Sequence, residues 1–291
     1  MNLFKGAGVA LVTPFTEDRS IDFPALRRLV QEQISGGTNY LVVQGTTGES
    51  PTLNSEEKKQ VLETVLEVNN GALPVVYGAG GNNTMSVIEA FKNIPKGVDG
   101  ILSVAPYYNK PTQAGYIAHY KALADATNLP IILYNVPGRT GSNVLAETTR
   151  ELAEIKNIVA MKEASGNMEQ IMEIIRSKPE GFLVLSGDDA ITLPLIAAGA
   201  DGVISVVANS FPAQFSQMVT SALNGDFETA RRLHYDLLPV TKLLFAEGNP
   251  GGVKIALEEL GWMKPHMRLP LVPVSDALKA KIIAETQKLA R

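Results

Sequence analysis

The chain has 291 residues, 45% of them apolar, with a formal net charge of −4. That is long for one ordinary domain but normal for a (β/α)₈ barrel, which needs about 250 residues, and the balanced charge points to no nucleic-acid or membrane-surface partner. Cysteine is absent, which excludes disulfides, thiol catalysis and thiolate metal sites.

Met1–Lys5 run into Gly6 and Gly8 without a basic stretch followed by an apolar core. No export signal is expected, and the cytoplasm is the expected compartment. No run approaches the ~18 apolar residues of a membrane span. Short apolar runs then recur along the chain. They are Val9–Val12, Tyr40–Val43, Val75–Tyr77, Ile101–Val104, Ile131–Tyr134, Ile158–Met161, Leu183–Leu185 and Val203–Val206. Near-continuous apolar runs are the pattern of parallel strands covered on both faces. Their spacing leaves room for a loop, a helix and a loop each time.

The intervening segments carry helix signals. Asp22-Phe23-Pro24 supplies a cap and an early proline, and Gly36-Gly37 a stop. Asn54-Ser55-Glu56-Glu57 opens a second helix with acidic residues in its first turn. The α/β alternation predicts a (β/α)₈ TIM barrel over residues 1–224. An open doubly wound sheet is the alternative, disfavoured by eight even repeats and the lack of a dinucleotide fingerprint. From 225 to 291 the strand pattern stops. Asp226–Glu247, Pro250–Leu260 and Ser275–Lys288 read as three helices, a C-terminal helical domain.

A barrel carries its chemistry at the C-terminal strand ends. The segments there are Gln44-Gly45-Thr46-Thr47-Gly48-Glu49-Ser50, Pro106-Tyr107-Tyr108-Asn109-Lys110-Pro111, Tyr134-Asn135-Val136-Pro137-Gly138-Arg139-Thr140-Gly141, Lys162-Glu163-Ala164 and Ser186-Gly187-Asp188-Asp189. Lys162 directly follows an apolar strand. A neutral amine there can attack a ketone and form a Schiff base; otherwise it is a solvated lysine at a strand-loop junction. Tyr134 ends the neighbouring strand, where a phenol can relay protons or merely pack its ring. Thr46 and Thr47, between glycines, offer donors to a small carboxylate, or form an ordinary turn. Arg139 can grip a carboxylate with two prongs, or be a surface arginine.

Other groups are weaker. Gly78–Asn83 lacks the lysine and hydroxyl of a phosphate loop. The three histidines, His119, His234 and His266, show no metal-binding spacing. Asp188-Asp189 offers a magnesium site, but a helix N-cap explains at least one of the pair more simply. Lys242 and Lys254, in the helical segment, are expected to face solvent.

Together the Gly45–Glu49, Tyr107–Pro111, Tyr134–Gly141 and Lys162–Ala164 motifs resemble the pyruvate-dependent class I aldolase superfamily. Within it they are most similar to the dihydrodipicolinate synthase family, over essentially the whole chain. The resemblance implies that Lys162 forms a Schiff base with pyruvate. It implies that Tyr134 relays protons through Thr46 to Tyr108, the last supplied by a neighbouring subunit of a homo-oligomer, tetramer or dimer. Thr47 would hold the pyruvate carboxylate and Arg139 that of L-aspartate-4-semialdehyde, with Gly187 and Ile204 around the bound pyruvate. No cofactor or metal is implied. N-acetylneuraminate lyases and 2-keto-3-deoxy sugar-acid aldolases of the superfamily are the alternative. They would share Lys162 and Tyr134, but sialic acid lyases typically lack an arginine at 139.

Two departures from the family pattern stand out. Glu247–Lys254 has glycine where many relatives have a second proline, and it is expected to lie away from the chemistry. The effector pocket of lysine-sensitive members corresponds to Pro51, Ser55, Lys58, Asn82, Ser86 and Tyr107. Ser55 replaces a histidine and Ser86 a glutamate, so weak or absent inhibition by L-lysine is expected.

Overall fold

A computed structural model describes residues 3–290; Met1 and Asn2, part of the stretch read for an export signal, and Arg291 lie outside the described residues. Eight parallel strands close into a barrel in sequence order. They are β1 (Gly6–Ala10), β2 (Tyr40–Val43), β3 (Val75–Gly78), β4 (Gly100–Val104), β5 (Ile131–Asn135), β6 (Ile158–Glu163), β7 (Leu183–Ser186) and β8 (Gly202–Ser205). β8 returns to pair with β1, with Gly8 beside Ile204.

Side chains alternate between the two faces of each strand. Tyr40, Val42, Leu102, Ile132, Ala160 and Leu185 belong to one buried cluster that fills the barrel. The residues between them, such as Leu41, Val43, Leu133 and Met161, pack against the outer helices. Lys162 lies two residues after Ala160, so strand geometry turns it into the barrel mouth.

The helix signals act as read. Asp22 accepts a hydrogen bond from the Ala25 amide at 3.0 Å at the head of helix Phe23–Ser35. Asn54 and Glu57 exchange side-chain-to-backbone bonds of 2.9 Å each at the head of Ser55–Asn69, a reciprocal cap. The C-terminal helices are Phe227–Phe245, Gly251–Glu259 and Asp276–Leu289. Their apolar residues, including Leu237, Leu244, Val253 and Ile282, share one core with Val9 and Leu11 of the barrel. Among the described residues, no helix is long and apolar enough to cross a membrane.

Most strands differ from their apolar runs by at most one residue at either end; two differ by more. β1 spans Gly6–Ala10, not Val9–Val12. Gly8 is required there, since a Cβ at that position would sit 2.2 Å from the Tyr40 ring. β6 continues past Met161 through Lys162 and Glu163. Lys162 is therefore a strand residue and not the first residue of a loop.

Candidate active site

Lys162 and Tyr134 are direct register partners on β6 and β5. Lys162 Nζ sits 4.3 Å from the centre of the Tyr134 ring. Both are buried, Lys162 with 6% of its surface exposed. They open onto a cavity of about 400 Å³ at the barrel mouth, which Thr46, Thr47, Arg139 and Gly187 also line. Gly187 makes room for the lysine, because a Cβ there would meet Lys162 Cε at 3.0 Å and Ala164 Cβ at 2.6 Å. Arg139 is exposed on the short helix Pro137–Thr140.

Behind the lysine, Glu163 anchors the strand end. Its carboxylate accepts from Asn135 Nδ2 at 3.1 Å, Gln170 Nε2 at 2.9 Å and the Ser165 amide at 2.9 Å. Burial pushes the Glu163 carboxyl up, and these donors pull it back. Asn135 also donates to Asn143 Oδ1 at 2.8 Å and accepts from the Val144 amide at 3.1 Å. The network thus ties the strand ends to the segment just after Arg139. Glu163 and Asn135 were part of the sequence motifs but carried no role there.

Asp188 and Asp189 are both engaged by backbone. Asp188 Oδ1 accepts from the Ala190 amide at 3.0 Å, as a cap. Asp189 Oδ2 accepts from the Val206 and Val207 amides at 3.0 and 3.3 Å. Burial raises the Asp189 carboxyl to about 6.

Two expectations about the C-terminal helices are overturned. The Glu247–Lys254 segment does not lie away from the site: Asn249 lines the cavity and donates from Nδ2 to Thr47 Oγ1 at 2.9 Å. Lys254 does not face solvent. It is 0% exposed and donates to Glu49 Oε1 at 2.5 Å, to the Thr13 carbonyl at 2.9 Å and to the His266 carbonyl at 2.8 Å. Burial lowers the proton affinity of Lys254, and the Glu49 carboxylate opposes that shift. Lys242 is exposed as expected, yet it stands at the cavity rim. Helical periodicity gave no sign that this segment folds back over the mouth; the signal available was the dense Asn249-Pro250-Gly251-Gly252 run, a sharp entry into a buried helix.

Two residues are not among those lining the cavity. Ile204 is buried in the barrel interior with Tyr134 and Leu185. Tyr108 is 87% exposed and has φ = 73°, a backbone region that non-glycine residues seldom occupy. A separate cavity of about 640 Å³ is lined by Ser55, Lys58, Asn82, Ser86 and Tyr107. Pro51 is not among its lining residues. Burial lowers the Lys58 amine.

A closed barrel with a buried lysine beside a tyrosine at its mouth defines a class I, lysine-dependent aldolase architecture. Residues 3–289 match the model of the dihydrodipicolinate synthetase family. The chain belongs to that family. It is 54% identical over 280 residues to the 4-hydroxy-tetrahydrodipicolinate synthase of Parabacteroides distasonis, covering 96% of this chain and 94% of the relative. The crystal structure of dihydrodipicolinate synthase from Thermotoga maritima superposes with a TM-score of 0.97 at 42% identity, over 99% of each chain. The synthase of Acinetobacter baumannii, solved in complex with pyruvate, gives 0.95 at 41% identity, over 98% of this chain and 99% of that one.

Proposed function

We infer that the chain is a 4-hydroxy-tetrahydrodipicolinate synthase, condensing pyruvate with L-aspartate-4-semialdehyde on the diaminopimelate route to lysine. The observation that carries this reading is the cavity shared by buried Lys162, Tyr134, the Thr46-Thr47 loop and Arg139. Lys162 attacks the pyruvate ketone, water leaves, and an iminium forms. The iminium acidifies the adjacent methyl group, and loss of a proton gives the enamine. The Tyr134 phenol, able to donate and accept, relays protons. Thr46 passes them toward Tyr108, and Thr47 holds the pyruvate carboxylate. The enamine carbon adds to the aldehyde, whose carboxylate Arg139 grips. The substrate amine then displaces Lys162 and closes the ring, so one water is released overall. Gly187 leaves the space in which the adduct lies, above Ile204.

Tyr108, exposed in the single chain, completes the site of a neighbouring subunit in a homo-oligomer. The enzyme acts in the cytoplasm and needs no cofactor. Its second cavity keeps Tyr107 and Asn82 but has serines at 55 and 86, so L-lysine inhibits weakly or not at all; calorimetric titration with L-lysine tests this, and saturable submillimolar binding speaks against it. Arg139 favours the semialdehyde over the polyol substrates of the sugar-acid and sialic acid branches. The main test is a coupled assay with pyruvate and aspartate semialdehyde, alongside borohydride trapping of the pyruvate adduct. Turnover with both substrates and a trapped adduct are expected. An adduct that forms without turnover of the semialdehyde would move the chain to another branch of the superfamily.

A further inference from the structure

Asn249 joins the C-terminal helices to the loop that faces pyruvate. It is nine-tenths buried and lines the catalytic cavity. Its Nδ2 donates to Thr47 Oγ1 at 2.9 Å, while its Oδ1 has no hydrogen-bond partner. Lys254, five residues on, pins the same loop through Glu49. This arrangement fixes the Asn249 amide against Thr47.

A hydroxyl has one proton to give and lone pairs to receive. When the Asn249 N–H occupies a lone pair of Thr47 Oγ1, the hydroxyl proton is left for an acceptor elsewhere. A carboxylate accepts only, so the pairing suits the pyruvate carboxylate.

We propose that Asn249 is a positioning residue for pyruvate: its amide nitrogen turns the Thr47 hydroxyl proton onto the pyruvate carboxylate. This rests on the reading of Thr47 as the holder of that carboxylate.

The donor is lost and the side-chain shape kept in Asn249→Asp. Its carboxylate takes the Thr47 proton for itself. The pyruvate concentration that half-saturates borohydride trapping, with no semialdehyde present, should rise about tenfold or more, the effect of a lost charge-assisted hydrogen bond. Asn249→Ala should raise the same value, and Asn249→Ser serves in its place if the alanine variant does not accumulate. Thr47→Val should raise the pyruvate value, and adding N249D to it should change that value by less than about twofold, since the coupled partner is already gone.

A normal pyruvate value in N249D beside a raised one in T47V overturns the role of Asn249 alone. A normal value in T47V removes the reading of Thr47 and, with it, this proposal. Effects of T47V and N249D that simply multiply show that Asn249 acts by packing, which overturns it.

Discussion

Lys162 on β6 and Lys254 on the helix Gly251–Glu259 are both buried, 6% and 0% exposed. Their surroundings differ in kind. Three oxygens surround the Lys254 ammonium, one of them the Glu49 carboxylate, and the rings of Phe15 and Tyr134 give the two lysines similar aromatic neighbours at 4.5 and 4.3 Å. Lys162 has the Tyr134 ring on one side and the open cavity on the other. A fully bonded buried lysine is committed to structure, since every N–H direction is taken. A buried lysine facing a cavity has directions free for a reacting carbonyl. Burial alone therefore does not distinguish the proposed nucleophile, Lys162, from Lys254; the unfilled coordination around the amine does.

The largest effect should come from removing the free lysine. Lys162→Ala should lower turnover by several orders of magnitude and abolish the borohydride-trapped pyruvate adduct, while the protein still folds. Intact-mass measurement decides it, and a persistent adduct would make some other amine the nucleophile. Lys254→Met should show the reverse pattern, with the adduct still formed and the fold weakened. Removing one partner of a buried ion pair costs about 3–5 kcal/mol. Denaturant unfolding measures the loss, and Glu49→Gln added to it should recover part. A cost under about 1 kcal/mol in Lys254→Met would mean that Glu49 finds another partner.

The same pair shows what sequence made legible. The barrel was readable because eight apolar runs with helices between them have few other ways to pack. Lys162 was readable because it breaks such a run at its C-terminal end, where barrels place their chemistry. Lys254 was not, because it sits among Val253, Ile255 and Ala256 in a helix whose apolar residues did not reveal that all its faces are covered. Its partner Glu49 is 205 residues away, and no local pattern encodes that distance. Asn249 was missed for the same reason: its contact with Thr47 spans 202 residues. Tyr108 is the converse case. The motif pointed to it, and a single chain leaves it exposed.

Arg139 extends the comparison to a cation with no buried commitment. It is exposed at the cavity rim, so Arg139→Ala should leave folding and the trapped pyruvate adduct unchanged. The efficiency with the semialdehyde should fall roughly 10- to 150-fold, the equivalent of about 1.5–3 kcal/mol for a charged hydrogen bond. Steady-state kinetics and trapping in the same preparation separate the two. Equal losses in both would make Arg139 a structural residue or a partner of pyruvate.

His119 supplies the smallest and sharpest test, because it is a buried base without the oxygens that Lys254 enjoys. Its Nδ1 meets Thr84 Oγ1 at 2.9 Å, its Nε2 has no partner, and the Tyr120 ring packs against it in a T-shaped arrangement. Burial holds the imidazole down to about 4, below its ordinary 6.5. The unfolded chain therefore takes up a proton as pH falls through 6.5, while the folded chain refuses it until about 4. The unfolded state binds more protons across that window, so stability is fully present above it and is lost as pH falls through it. At pH 5 the loss from this one group is about 2 kcal/mol relative to pH 7. His119→Gln cannot titrate, so its stability relative to the parent should improve by about that amount between pH 7 and pH 5. Chemical unfolding of both proteins at the two pH values measures the difference. If the gap stays constant, the folded protein accepts the proton, and a single hydroxyl would then suffice to keep a buried base charged, against what the oxygen cage of Lys254 teaches.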